Sequence, residues 1–182
     1  MRDMDEMKLA CVIDACGGID GRVKLQKIVY LLKAMGYELP FDDFRIRQLG
    51  PFSRAVAVSM DLLTTAGFVE ETQQDIGTDP ETEEPIRQYS YAVSDSIKSL
   101  LATHFRVPQP QGKPNLETAA MMLREHDRAV LEVAATKLYL QQEEGMKGSR
   151  LEDELRRLKG HLASRFADAK SLIADLKNRG WL

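Results

Sequence analysis

Four cationic side chains near the start of the chain are its clearest candidates for binding chemistry. Lys24 and Lys27 lie three residues apart, so on a helix they are neighbours. Arg45 and Arg47 lie two residues apart, so on a strand they share one face. Such a group of cations can hold phosphate or an acidic protein surface. The alternative, that all four are simply solvated, is equally open at this point.

Residues typical of an active site are not arranged for catalysis. The three histidines fall on three different predicted helices, and none has a His or Cys three or four residues on, so zinc-ligand spacing is absent. His126 and Asp127 are adjacent, and adjacent helix residues point about 100° apart, which favours a surface pair over an acid–base pair. A phosphate-binding loop and a Gly-x-Ser-x-Gly motif are also absent. We therefore predict a non-enzymatic protein with no cofactor and no metal.

Two short elements would position the four cations. The segment Val23–Leu32 places apolar residues at i, i+3, i+4 and i+7, which predicts a helix with one apolar face. The segment Phe44–Gln48 alternates apolar with basic or polar side chains, which predicts a short half-buried strand. The lysines would then lie at the edge of the helix, and the arginines on the strand that follows it.

A turn at Gly50 and Pro51 is predicted to open a second helix, with Pro51 at its first position, where the missing N–H costs nothing. Ser53 and Arg54 are polar residues at the start of this helix, which ends near Gly67. The turn completes our candidate partner-binding surface, which comprises Lys24, Lys27, Arg45, Arg47, Gly50, Pro51, Ser53 and Arg54.

After the second helix, Phe68–Thr72 and Ile86–Val93 are strand-like and are joined by a turn-rich stretch. Helices followed by such a hairpin predict a winged helix-turn-helix, in which the hairpin is the wing. A wing that contacts phosphate should be basic. This one is acidic, which favours a protein partner over nucleic acid; its acids are Glu70, Glu71, Asp75, Asp79, Glu81, Glu83 and Glu84.

The same residues carry a family resemblance. The run Lys24-Leu-Gln-Lys27, then Tyr30-Leu31, then Gly50-Pro-Phe-Ser53, then Leu62-Leu63 with Gly67, resembles the YwgA-type bacterial proteins. It is similar, more distantly, to the Panacea domain of SocA-type antitoxins. The resemblance covers about residues 5 to 95. It implies a non-enzymatic winged-helix module with an antitoxin or adaptor role.

The rest of the chain predicts a second, helical part. Val107–Asn115 holds three prolines and a glycine, which is typical of a linker. Two amphipathic helices follow it, over about 116–142 and 151–178. We therefore predict a mainly α protein with a winged helix-turn-helix-like domain and β-hairpin wing (1–105), a Pro-rich linker (106–115) and a C-terminal helical hairpin (116–182). The hairpin could pack on the protein or form a dimeric coiled coil.

Composition sets the remaining expectations. The 182 residues carry a net charge of −3, with 43% hydrophobic and 29% charged residues, which is ordinary for a globular protein. No apolar run approaches the ~18 residues of a membrane helix, and the start lacks a signal peptide, so we expect a cytoplasmic location. The predicted function is a protein-interaction module of the antitoxin or adaptor type, with a homodimer as a further hypothesis. The alternative is a DNA-binding transcriptional regulator that dimerises through its C-terminal helices.

Overall fold

The computed structural model describes residues 3–78 and 82–182. The protein is mainly helical, with a small antiparallel sheet and a separate two-stranded hairpin. The elements in chain order are α1 (Asp3–Ala15), β1 (Ile19–Asp20), α2 (Arg22–Ala34), β2 (Arg45–Arg47), β3 (Gly50–Phe52), α3 (Arg54–Thr65), β4 (Val69–Thr78), β5 (Pro85–Val93), α4 (Asp95–His104), α5 (Leu116–Arg124), α6 (Arg128–Gln142), α7 (Gly148–Lys159), a 3₁₀ turn (Gly160–Arg165) and α8 (Phe166–Asn178).

The sheet joins the start of the chain to the long β4–β5 hairpin. Its strand order is β1–β5–β4, and both pairings are antiparallel, with Ile19 opposite Tyr91 and Val69 opposite Val93. The base of the hairpin is buried and its outer part is exposed. Of the seven acids predicted in this hairpin, Asp79 and Glu81 lie outside the described residues. The other five are exposed.

The predicted start of the second helix is wrong by three residues. Pro51 does not begin a helix; it lies in β3, opposite Ile46 of β2. The helix α3 begins at Arg54, because the Ser53 hydroxyl is its N-cap and accepts a hydrogen bond from Val56 N at 3.0 Å. Proline is tolerated in a short strand such as β3, which has only one neighbour.

The predicted C-terminal hairpin of two long helices is also corrected. The first helix is divided into α5 and α6, because the Asp127 carboxylate accepts a hydrogen bond from Val130 N at 2.8 Å and caps a new helix. The second is divided into α7 and α8 by the 3₁₀ turn, which begins at Gly160, a residue with low helix propensity. Four shorter helices therefore replace the two expected ones.

The helices on either side of residues 106–115 share one hydrophobic core. The helix α2 packs on α6, α1 packs on α5, and α6 packs on α8. Residues 106–115 contain no helix or strand. The division into 1–105 and 116–182 stays a prediction about folding units. Buried members of the shared core include Ile13, Leu31, Leu123, Leu138 and Leu172.

Within the described ranges, 3–78 and 82–182, every helix is too short or too polar to cross a membrane.

The cap on α6 gives a direct test of the corrected helix boundary. We expect Asp127→Ala to lower the free energy of unfolding by about 1 kcal/mol, because Val130 N loses its partner. Urea denaturation measures this loss. Glu125→Ala is the control, since it removes an exposed carboxylate two residues away and leaves the cap intact. Equal losses in the two variants would contradict the assignment of Asp127 as the cap.

Candidate functional site

The β2–β3 hairpin is held in place by two buried lysines. Lys27 of α2 donates a hydrogen bond from Nζ to the carbonyl oxygen of Pro51 at 2.6 Å. Lys159 at the end of α7 donates from Nζ to the carbonyl oxygen of Gln48, also at 2.6 Å. Both lysine residues are 1% exposed. The hairpin is thus fixed from two sides, by helices that lie far apart in the sequence.

A second set of hydrogen bonds fixes the junction between the hairpin and α3. The Gln26 amide donates to the carbonyl oxygen of Ser53 and accepts from Ser53 N, both at 2.9 Å. The Ser53 hydroxyl also donates to the carboxylate of Asp43. The other oxygen of Asp43 accepts from Ala55 N at 3.0 Å. The direction in which α3 leaves the hairpin is therefore set by side chains of α2 and of the loop before β2.

Lys27 lies close to a buried ion pair. Lys159 Nζ is 2.6 Å from Glu132 Oε1, and the two side chains are only 1% and 3% exposed. Burial lowers the pKa of Lys27 from its usual 10.5 to about 8; Glu132 opposes this shift and the charge of Lys159 adds to it. Glu132 thus pairs directly with Lys159 and also attracts the charge of Lys27. Removing Glu132 would leave buried charge uncompensated, which is strongly destabilising in proteins.

Gly50 is required by both conformation and space. Its φ is +85°, in the region that favours glycine. A Cβ atom at Gly50 would lie 2.7 Å from Thr136 Oγ1 and 3.5 Å from Lys27 Cε. Thr136 Oγ1 is itself held by a 2.7 Å hydrogen bond to the carbonyl oxygen of Glu132. The hairpin can therefore approach α6 only because residue 50 has no side chain.

This arrangement corrects the predicted partner-binding surface. Lys27, Gly50, Pro51 and Ser53 are buried and cannot contact a partner in this structure, because they pack the hairpin onto α2 and α6. Lys24 is half-buried, and its Nζ donates to the carbonyl oxygen of Arg124 at 2.6 Å. The structure leaves three of the eight residues exposed, which are Arg45, Arg47 and Arg54.

Both cysteines are shielded from solvent to a large extent. Burial is the main cause that raises the pKa of Cys11 to about 11 and that of Cys16 to about 12, so both thiols stay protonated near neutral pH. In residues 3–78 and 82–182, no group of three or more His, Cys, Asp and Glu side chains is placed to hold a metal ion.

The outward face of α3 carries a feature that our sequence analysis missed. Val58 and Leu62 are 47% and 51% exposed, and Leu100 of α4 is 42% exposed. The detectable signal is that Val58 and Leu62 lie four residues apart, outside the stripe formed by Val56, Met60 and Leu63. Because the first stripe of α3 faces the core, the second one, formed by Val58 and Leu62, lies on the surface.

Gly50 provides a sharp test of the packing of the hairpin. We expect Gly50→Ala to destabilise the protein by about 2 kcal/mol or more, because it adds a clash to the strain of a positive φ. Gly67→Ala is the matched control, since Gly67 has φ +71° but open space around it, so strain alone should cost about 1 kcal/mol. Denaturant melts of both variants compare the two losses. Similar values would show that the hairpin does not press on α6.

The pKa of Lys27 predicts a dependence of stability on pH. The folded lysine releases its proton near pH 8, and the unfolded lysine near 10.5, so the unfolded state binds more protons in this window. The free energy of unfolding should therefore rise with pH, by about 1 kcal/mol per pH unit from this residue. The buried thiols act in the opposite direction above pH 9, since their pKa values are raised.

The contribution of Lys27 is isolated by comparison with Lys27→Met, which keeps both thiols and an unbranched side chain only one atom shorter. Urea denaturation at a series of pH values between 7 and 10 gives the two stability curves. We expect the wild type to gain stability relative to the variant as the pH rises above 8. Parallel curves would mean that Lys27 keeps an ordinary pKa in the folded protein.

Comparison with known proteins gives one informative relative. No family model matches the chain. A protein of Bacillus subtilis (strain 168), described as "Uncharacterized protein YwgA", is 25% identical over 135 residues, which is 74% of this chain and 74% of the relative. The match is longer than the stretch of about residues 5 to 95 that we expected to carry the resemblance. The comparisons do not confirm the similarity to the Panacea domain. The chain is thus similar to this YwgA protein over most of its length.

Proposed function

We propose that this chain is a non-enzymatic, winged-helix protein that acts as a protein-interaction module of the antitoxin or adaptor type. The order of its elements supports the winged-helix part. A helix, a short strand, a second helix, the β2–β3 hairpin, a third helix and the β4–β5 hairpin follow one another, and β1 pairs with β5. In this arrangement α3 takes the position of the recognition helix, and β4–β5 is the wing.

The observation that carries the proposal is the composition of the exposed face of α3. Val58 and Leu62 are its large exposed residues, and Arg54 is its one exposed cation. Asp61, also exposed, forms an ion pair with Arg22 of α2. Specific reading of the DNA major groove relies on Arg, Lys, Asn and Gln side chains. An apolar face with one cation suits a protein surface instead.

The wing supports the same conclusion by its charge. In its described part, Glu70, Glu83 and Glu84 are exposed acids, and Arg87 is the only cation of β4 and β5. Arg87 lies 3.8 Å from Asp75, which offsets its charge. Such a wing repels a phosphate backbone.

Dimerisation through the C-terminal helices, which belongs to the DNA-binding alternative, stays a prediction. We place the protein in the cytoplasm because both cysteines are free thiols.

The proposal is tested by affinity capture with purified, immobilised protein. We expect a specific protein partner to bind the wild type, and its recovery to fall at least about tenfold with Leu62→Asp, which places a charge in the apolar face. Leu49→Asp is the matched control, since Leu49 is 40% exposed but lies at the tip of the β2–β3 hairpin. Thermal melts establish that both variants are folded. Equal recovery with the two variants would exclude the α3 face as the interface.

A DNA titration tests the alternative. We expect binding weaker than a Kd of ~10⁻⁴ M at about 150 mM salt, because the wing is acidic and α3 carries a single exposed cation. Fluorescence anisotropy with labelled duplexes of several sequences gives the measurement. Nanomolar, sequence-dependent binding would overturn the proposal and favour a DNA-binding regulator.

A further inference from the structure

Two grooves follow α3 along its contact with α1, and they meet at Glu6 and Leu62. The first has a volume of about 520 Å³ and is bounded by α1, the C-terminal half of α3 and α4. The second has a volume of about 340 Å³ and lies beside the N-terminal half of α3. Since α3 has 12 residues, the combined trough is about 18 Å long. That length matches about three turns of a partner helix.

Apolar side chains form most of the lining of the first groove and part of that of the second. Leu62, Phe68, Leu100 and Phe105 line the first groove, and Val58 lines the second. Leu62, Val58 and Leu100 are each more than 40% exposed. Neighbouring large apolar side chains that remain exposed mark interaction sites in soluble proteins. The spacing of Val58 and Leu62 presents a ridge against which side chains at i, i+4 and i+7 of a second helix can pack.

The charged residues that line the trough indicate what charge its partner carries. Glu6 lies where the two grooves meet, and its Oε2 atom is buried without a hydrogen-bond partner among the described residues. Asp5 and Asp43 also line the second groove, and among the described lining residues Arg54 is the one cation. A buried carboxylate oxygen without a partner is unusual in folded proteins. Glu6 as a residue is half-buried and lines both grooves, so a Lys or Arg of the partner can compensate its charge from within the trough.

We propose that this trough binds an amphipathic helix of a partner protein, with apolar residues on one face and a Lys or Arg beside them. The proposal rests on the proposed function and adds the chemistry of the partner to it. Binding buries the exposed apolar residues of α3 and α4, and the cation of the partner pairs with Glu6. This is the helix-in-groove mode of recognition, in which an amphipathic helix lays its apolar face into a hydrophobic groove.

The test uses synthetic peptides as probes. One is an Ala-rich helix of about 16 residues with Leu at i, i+4 and i+7 and Lys beside them. The second carries Glu in place of every Lys, and the third has the first composition in scrambled order. Fluorescence anisotropy with the full-length protein measures binding. We expect the Lys peptide to bind at least about tenfold more tightly than either of the others, by apolar and charge complementarity together.

Variants of the protein separate the apolar contribution to peptide binding from the electrostatic one. We expect Leu62→Asp to weaken binding of the Lys peptide at least about tenfold. Glu6→Gln keeps the shape of the side chain and should weaken binding by about threefold or more while reducing its salt dependence. Leu49→Asp, outside the trough, should bind as the wild type does. Thermal melts of all three variants provide the folding control.

Each other outcome overturns the proposal in a distinct way. Equal binding of the Lys and Glu peptides removes the role of Glu6, and binding that survives Leu62→Asp places the peptide elsewhere. If no peptide binds but a captured protein partner still depends on Leu62, the chemistry assigned to the partner is wrong and the proposed function stands. If neither peptide binding nor capture depends on Leu62, both proposals fail.

Discussion

The structure depends on how the interior accommodates the ammonium groups of Lys27 and Lys159. Each donates to a backbone carbonyl of the β2–β3 hairpin, and Glu132 compensates the charge of Lys159 directly. Burying a lysine is unfavourable unless its charge and its hydrogen bonds are satisfied. The hairpin supplies acceptors that a three-residue strand pair otherwise leaves without partners. The cations and the hairpin thus stabilise each other, and neither would be stable in this place alone.

The geometry of the candidate interface follows from this cluster. The hairpin leads directly into Ser53, which caps α3, and Gln26 holds Ser53 from the same helix that carries Lys27. The helix α3 therefore has a fixed direction, with Val56 and Met60 inward and Leu62 outward. A rigid helix loses little conformational freedom when a partner binds. The buried hydrogen bonds around Gln26 and Ser53 thus fix the position of the apolar surface on α3.

Much of the architecture could be predicted from local patterns. The helix α2, the short strand at Arg45–Arg47 and the long hairpin all follow from side-chain periodicity. The expected single apolar face of α2 is wrong, because residues 25–32 are buried on every side of the helix. The positive φ of Gly50 agrees with its place in a turn. The predicted start of α3 is wrong because a serine cap outweighs a proline. The first C-terminal helix is predicted too long because Asp127 caps a new helix within it, and the second because the 3₁₀ turn begins at Gly160.

The site itself was harder to predict because its contacts are distant in the sequence. Nothing around Lys27 shows that Pro51 and Glu132 will enclose it, so a pattern of cations was interpreted as a surface. The outward position of Leu62 depends on which side of α3 meets α1, which periodicity leaves open when apolar residues lie on both sides. Burial of charge and exposure of leucine are both set by tertiary packing. They are therefore the features on which sequence reasoning alone is least secure.

The hydrogen bond from Lys159 to Gln48 also bears on the order of folding. It joins residues 111 positions apart, so closing this contact requires almost the whole chain. Contacts of such sequence separation form late, because the entropy of closing the loop is lost before the contact stabilises the protein. During synthesis, α2 can form while the C-terminal helices are still missing. We expect the β2–β3 hairpin to become fixed only after α7 has docked, although it is among the first segments to be synthesised.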